Sequence, residues 1–168
     1  MQTTRRAWLM STALVAGLAG CGFELRKPYS YAFSTLYSSI PIMSPFGVKL
    51  RRNLESSGQV SVITDARQIE EAQVIFDQLF ELREKVVVGR TSTGAISEYQ
   101  LRLRYRFRVR SRNGIELIPD TEILLARDIN FNETAALSKE SEEALLYRDM
   151  EDDLVQQIQR RLAAIRQV

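Results

Sequence analysis

Hydrophobic and polar residues alternate without a break from Tyr99 to Arg110. Tyr99, Leu101, Leu103, Tyr105, Phe107 and Val109 fall on one side; Gln100, Arg102, Arg104, Arg106, Arg108 and Arg110 fall on the other. A period of two marks a strand with one buried and one wet face, because a helix would spread these side chains round its circumference. A second alternating run precedes it. There Val74, Phe76, Phe80, Leu82, Val86 and Val88 are expected on one face, and Asp77, Glu81, Arg83 and Lys85 on the other. The loop Gly89 to Ala95 joins the two runs, and a third run follows Asn113-Gly114 and ends near Phe131. A three-residue loop, Arg112-Asn113-Gly114 with Gly114 left-handed, keeps like faces together across this last hairpin. It sets Val109 opposite Leu117, Leu103 opposite Ile123 and Leu101 opposite Leu125. On the other face Arg110 meets Glu116, Arg106 meets Asp120 and Arg104 meets Glu122, which leaves Arg102 and Arg108 without a carboxylate.

The periodicity changes on either side of these runs. Ser44-Pro45 reads as an N-cap followed by Pro at the first helical position. Phe46, Leu50 and Leu54 then recur every fourth residue until Gly58 supplies a left-handed stop. A strand is expected over Val60 to Thr64, a strand segment over Thr35 to Ile40, and the start of another over Gly22 to Arg26. From about Ser138 the pattern is helical to the end, with Leu146, Met150, Leu154, Ile158, Leu162 and Ile165 forming one apolar stripe. Glu140, Glu142 and Glu143 in its first turns and Arg160, Arg161 and Arg166 in its last ones suit the helix dipole. These elements predict an α+β fold: a two-layer sandwich with a mainly antiparallel four-stranded sheet and two helices packed on one face. The arginine-bearing face is expected to stay uncovered by this chain.

The first residues read differently. Arg5 and Arg6 form a positive segment, Ala7 to Ala19 is apolar but too short to span a bilayer, and Leu18-Ala19-Gly20-Cys21 resembles a bacterial lipobox. Residues 1–20 are therefore expected to be a lipoprotein signal peptide, removed to leave one domain, residues 21–168, tethered by acylated Cys21. Three acyl chains, at about 0.8 kcal/mol per buried methylene, make such an anchor effectively permanent. Thr4-Arg5-Arg6-Ala7-Trp8-Leu9 also resembles a twin-arginine export signal, and the export route stays open.

Composition removes several functions. The formal charge of +2 disappears with the two leader arginines, so the mature chain has no electrostatic basis for non-specific nucleic-acid binding. There is no His, and the only Cys sits in the lipobox. Ser-His and Cys-His catalysis and most metal sites fall away with them, so no catalytic residue, metal site or cofactor is expected.

The residues at this point resemble a family. Cys21-Gly22-Phe23-Glu24-Leu25-Arg26, then Glu98-Tyr99-Gln100-Leu101 opening a long strand, then Gln157-Ile158-Gln159-Arg160-Arg161-Leu162 in the last helix are similar to the LPS-assembly lipoprotein LptE. The resemblance runs in order over nearly the whole chain. It departs at Glu24, where a His is usual, at Lys27, which replaces a common Gly, and in a longer loop around Arg90. It implies a non-catalytic outer-membrane lipoprotein, on the periplasmic side, that plugs the lumen of an LptD-type β-barrel and assists barrel assembly and lipopolysaccharide delivery to the cell surface. It also implies lipopolysaccharide-binding roles for Arg90 and Lys139, neither of which has an evident cross-strand partner. The competing reading is a generic lipid-anchored interaction subunit of another envelope or transporter complex.

Overall fold

The computed structural model describes residues 29–131 and 136–168. Cys21 and the strand expected over Gly22 to Arg26 lie outside them. Five strands, β1 (Thr35–Ser38), β2 (Ser61–Ile63), β3 (Val74–Arg90), β4 (Ile96–Ser111) and β5 (Glu116–Asn130), form one sheet in the order β2-β1-β3-β4-β5. Two helices, α1 (Pro45–Glu55) and α2 (Ala136–Ala163), cover one face, and a 3-10 helix, Ala66–Glu71, leads into β3. The α+β class stands, but the sheet is five-stranded and mixed. β1 runs parallel to both β2 and β3, because each of these neighbours is reached through a helical crossover and not a tight turn.

Local chemistry sets the helix ends. Ser44 Oγ accepts from the Gly47 N–H at 3.3 Å, and Pro45 opens α1. Phe46, Leu50 and Leu54 bury themselves, and Gly58 follows with φ +67°. Gly47 is fixed by contact: a Cβ there would stand 2.7 Å from Ile40 Cγ2. α2 buries Met150, Leu154, Val155, Ile158 and Leu162 against Leu101, Leu103, Tyr105, Phe107 and Val109 of β4. Phe76 stacks on Phe107, and Phe46 packs on Tyr105 with ring centroids 4.7 Å apart.

The alternation in β3 does not hold as expected. Gln78 lies opposite Phe107 but Phe80 lies opposite Arg106, so Leu79 is an extra residue. One inserted residue turns every later side chain to the other face. Val74 and Phe76 therefore face the helices, whereas Phe80, Leu82 and Val86 stand beside the arginines. Glu81, Arg83 and Lys85 turn under α2, opposite Tyr105, Leu103 and Leu101. The six apolar residues expected on one face are divided between two.

β5 carries two such irregularities, and they cancel. The three-residue turn forms as expected, with Gly114 at φ +84° and Arg110 opposite Glu116. Val109 then lies opposite Ile118, and Phe107 opposite Thr121. After the two insertions Leu103 meets Leu125, not Ile123, and Leu101 meets Arg127, not Leu125. The expected register is thus wrong by two residues beyond the turn, while the buried face is right. The β3–β4 turn is built in the same way: Gly94 has φ +86°, and the Thr91 hydroxyl accepts from the Ala95 N–H as that of Ser111 does from Ile115. At roughly 3.3 Å per residue, the 17-residue β3 extends to roughly 55 Å.

Candidate anion-binding residues and the charged groove

The residues singled out from the sequence lie toward the β3–β4 turn. Arg90 ends β3, and its guanidinium donates to the Gly94 carbonyl across the turn at 3.0 Å. Lys139 lies inside the first turn of α2, not before the helix, and pairs with Glu142 at 2.7 Å. Both cations thus have local partners, and neither of these is a cross-strand one. Lys85 of β3 pairs with Glu143 of α2 at 2.6 Å. Arg90 lies beyond Lys85 along β3, and Lys139 lies one helical turn before Glu143. Both therefore fall on the turn side of that contact.

The arginine row is largely neutralised. Arg104 pairs with Glu122 at 3.0 Å and Arg106 with Asp120. These are the expected partners, reached on the diagonal because of the register change. Arg108 and Arg110 share Asp77 at 3.0 and 3.1 Å. Arg108 therefore does have a carboxylate, and Arg110 turns to Asp77 and not to Glu116. Arg102 donates to Gln100 Oε1 at 2.8 Å. Hydrogen bonding from Arg106 holds the Asp120 carboxyl below the usual range, and the same contact raises the guanidinium. Between these charges lie exposed Phe80 and Leu124, with the Arg104 guanidinium 5.9 Å from the Phe80 ring centroid.

The charges that β3 turns under α2 form a second cluster. Arg83 meets Glu151 at 2.5 Å, and Lys49 of α1 approaches the same carboxylate at 3.2 Å and Asp152 at 2.8 Å. Burial alone would pull the Lys49 ammonium down, but its bonds to Asp152 and Glu151 outweigh that and raise it. Tyr147 donates to the Glu84 carbonyl at 2.9 Å, and the Arg83 guanidinium stands over its ring. An open groove of about 590 Å³ runs here between β3 and α2, lined among others by Pro45, Arg83, Lys85, Tyr147 and Arg148. Deeper in, the Tyr105 hydroxyl is enclosed with no hydrogen-bond partner among the described residues, and burial, with Glu81 opposite, pushes its pKa far up. The sequence carried a signal of this cluster that periodicity alone passed over. The polar pair Asp77-Gln78 followed by the apolar pair Leu79-Phe80 is a break in phase, and a break in phase is how a bulge appears in a sequence.

Paired surface charges, interleaved apolar residues and a long two-faced sheet define an α+β module with one face of its sheet under two helices and the other open. The chain belongs to the family LptE: Lipopolysaccharide-assembly, whose model matches residues 33–162. Solved structures agree. An uncharacterized lipoprotein B from Nitrosomonas europaea is 31% identical, over 85% of this chain and 91% of that one, with a TM-score of 0.69. A rare lipoprotein B from Shewanella oneidensis (20% identity, 78% and 95% coverage, TM-score 0.64) shares the fold. So does a minor lipoprotein from Acinetobacter baumannii (20%, 80% and 94%, 0.62). A search of curated proteins finds no match.

Proposed function

We propose that this chain is an outer-membrane lipoprotein, anchored by acyl chains on Cys21 from the periplasmic side after removal of residues 1–20. In this reading it works with an LptD-type β-barrel, inside its lumen, in barrel assembly and lipopolysaccharide delivery, as a non-catalytic subunit. The observation that carries this is the family match over residues 33–162. Two structural features support it. No helix among the described residues is long and apolar enough to cross a membrane, and the reading places the hold on the bilayer at Cys21. The roughly 55 Å reach of the hairpin exceeds the ~40–45 Å thickness of a bilayer with its headgroups, so a lumenal subunit tethered at one face would present its turn at the other.

Arg90 and Lys139 are the residues we assign to lipopolysaccharide phosphates. Both lie toward the turn end, and their present partners, a main-chain carbonyl and an exposed carboxylate, are weak competitors for a phosphate. Charge-assisted contacts to phosphate are about twice as strong as neutral hydrogen bonds. Purification of the tagged protein from detergent-solubilised outer membrane should bring a large barrel protein with it, and the purified protein should bind lipopolysaccharide. Recovery without a barrel, from a different envelope complex, would support the generic lipid-anchored subunit instead. Mass spectrometry of the mature N-terminus tests the anchor, and an unmodified Cys21 or an intact leader ends that part of the reading.

A further inference from the structure

The described chain begins at one end of the fold, beside the C-terminal turn of α2. The Tyr31 N–H donates to Gln59 Oε1 at 3.3 Å, and its hydroxyl accepts from Gln159 Nε2 at 3.4 Å. The chain then enters β1, whose Leu36 lies opposite Val74, itself opposite Ser111 beside the β4–β5 turn. At this same end β5 starts and α2 finishes. A cleft of about 360 Å³ opens between them, lined by Leu117, Ile118, Pro119, Arg161, Ala164 and Ile165 among others. Its floor is apolar: Ile118 and Ile165 are buried, while Pro119 and Ala164 are exposed. Arg161 stands exposed at the rim, and its side chain forms no ion pair or hydrogen bond among the described residues.

Length and pattern identify an occupant within the chain itself. Residues 21–28 separate the expected anchor at Cys21 from Tyr29. Fully extended they span about 28 Å, whereas the helix between Gln159 and the cleft is about 10–12 Å across. Gly22-Phe23-Glu24-Leu25-Arg26 can therefore pass round the end of α2 and reach the cleft. In extended form Phe23 and Leu25 share one side, and Glu24 and Arg26 the other. The apolar pair matches the apolar floor, and Glu24 is left on the solvent side within reach of Arg161. A segment on so short a link has an effective concentration of the order of mM, which favours it over an occupant from solution. We propose that Gly22 to Arg26 dock in the cleft between β5 and the end of α2, with Phe23 and Leu25 on Ile118 and Ile165, and Glu24 paired with Arg161.

The docked segment sets how the fold meets the bilayer. In this it deepens the anchored reading above, and it rests on that reading for the acyl groups at Cys21. Bound in the cleft, the segment leaves no free residue between the acylated cysteine and the fold. The β4–β5 turn, with its exposed Ile115, is then held at the membrane surface, and the β3–β4 turn points away from it along the sheet. Unbound, the same residues would let the domain stand off by up to ~28 Å and turn freely.

The test is disulfide closure in the full acylated protein in detergent micelles, with oxidised glutathione as the oxidant. Leu25→Cys/Ala164→Cys sets one thiol on the segment and one in the cleft. Leu25→Cys/Arg52→Cys is the control, because Arg52 is exposed near the end of α1, on the other side of Tyr31. Ala164 and Arg52 are both exposed, so neither exchange disturbs the core. The cleft pair closes roughly tenfold faster than the control, or more, because docking raises one local concentration and not the other. Arg161→Glu slows that closure, and Glu24→Arg/Arg161→Glu restores it. Equal rates in the two pairs overturn the proposal, since a free segment samples both sites alike. A disulfide between molecules gives the cleft to a second copy and overturns it equally, as does a charge exchange that fails to restore the rate. Intact mass reads the acyl groups on Cys21 apart from the disulfide, so failure of the anchored reading and failure of docking are distinguishable.

Discussion

Arg83 of β3 and Glu151 of α2 meet at 2.5 Å, with the Glu151 side chain only 5% exposed. Lys49 reaches the same carboxylate from α1, so one buried acid joins three elements. The charge left behind decides the cost of breaking such a pair, and it is large, about 3–5 kcal/mol, when that charge is buried. Glu151→Ala leaves Arg83 and Lys49, 41% and 29% exposed, to turn to solvent, and should cost about 1 kcal/mol by urea denaturation. Arg83→Ala/Lys49→Ala leaves the acid buried without either cation and should cost about 3 kcal/mol. A double variant as stable as Glu151→Ala would mean that the buried acid needs neither cation.

Leu79 is the extra residue of the β3 bulge, and neither its side chain nor its presence decides the faces beyond it. It is exposed, so Leu79→Ala should change stability by less than about 0.5 kcal/mol. Deleting it would let Phe80, opposite Arg106, follow Gln78, opposite Phe107, in plain alternation, so Glu81, Arg83 and Lys85 would keep their places under α2. The deletion variant should fold and unfold cooperatively in a thermal melt. A deletion variant that precipitates or melts without cooperativity would falsify the account of the bulge.

Tyr105 is fully buried, and its hydroxyl has no partner among the described residues. An unpaired buried hydroxyl costs about 1–3 kcal/mol. Tyr105→Phe should therefore stabilise the protein by about 1 kcal/mol, measured as a rise in the denaturant midpoint at constant slope. A loss of stability would reveal a partner for the hydroxyl.

The pH dependence has a definite sign at each end. The folded-state values of Tyr105 and Lys49 lie above their ordinary ones. Their contributions are complete below the unfolded pKa of each, about 10 to 10.4, and decline as pH rises beyond it. Asp120 is depressed by Arg106. Its contribution is complete above the unfolded value, about 3.9, and declines as pH falls through the folded one. Denaturation midpoints across pH should fall at both ends, and Tyr105→Phe should lessen the alkaline fall while leaving the acid one unchanged. An acid limb that Asp120→Asn leaves unaltered would exclude the Arg106 pair as a contributor.

Gly47 tests the packing of α1. The 2.7 Å approach to Ile40 leaves no space for a methyl group, so Gly47→Ala should cost about 1–3 kcal/mol despite its better helix propensity. Thermal melts of Gly47→Ala and Gly47→Ala/Ile40→Ala decide it: if the steric account is right, Ile40→Ala costs less in the Gly47→Ala background than alone.

What the sequence made legible follows the physics of alternation. β4 has no irregularity from Tyr99 to Ser111, so Tyr99 to Arg110 declared its two faces outright. α1 was readable because Ser44, Pro45 and the spacing from Phe46 to Leu54 all point to the same boundary. Register was less accessible. The bulges at Leu117 and near Pro119 preserve the buried face, so no pattern of burial distinguishes the observed pairing from one displaced by two residues. The β3 bulge was misread because a single run was assumed from Val74 to Val88. The short parallel strands gave little periodicity to count. That Arg90 and Lys139 lie toward one end of the fold comes from the structure, since residue type does not show whether their loops converge, and their partners Gly94 and Glu142 are local contacts.

The charge pairs between β3 and α2 also divide the molecule by its response to solvent. Near β1 the sheet and helices are joined by Phe76, Phe107, Leu154 and Ile158, contacts that are indifferent to ionic strength. Farther along, β3 is held to α2 through Lys85–Glu143 and Arg83–Glu151, and the more exposed of these weakens as dissolved ions screen it. Dissolved salt thus acts on one end of the contact between sheet and helices and leaves the other end unaltered.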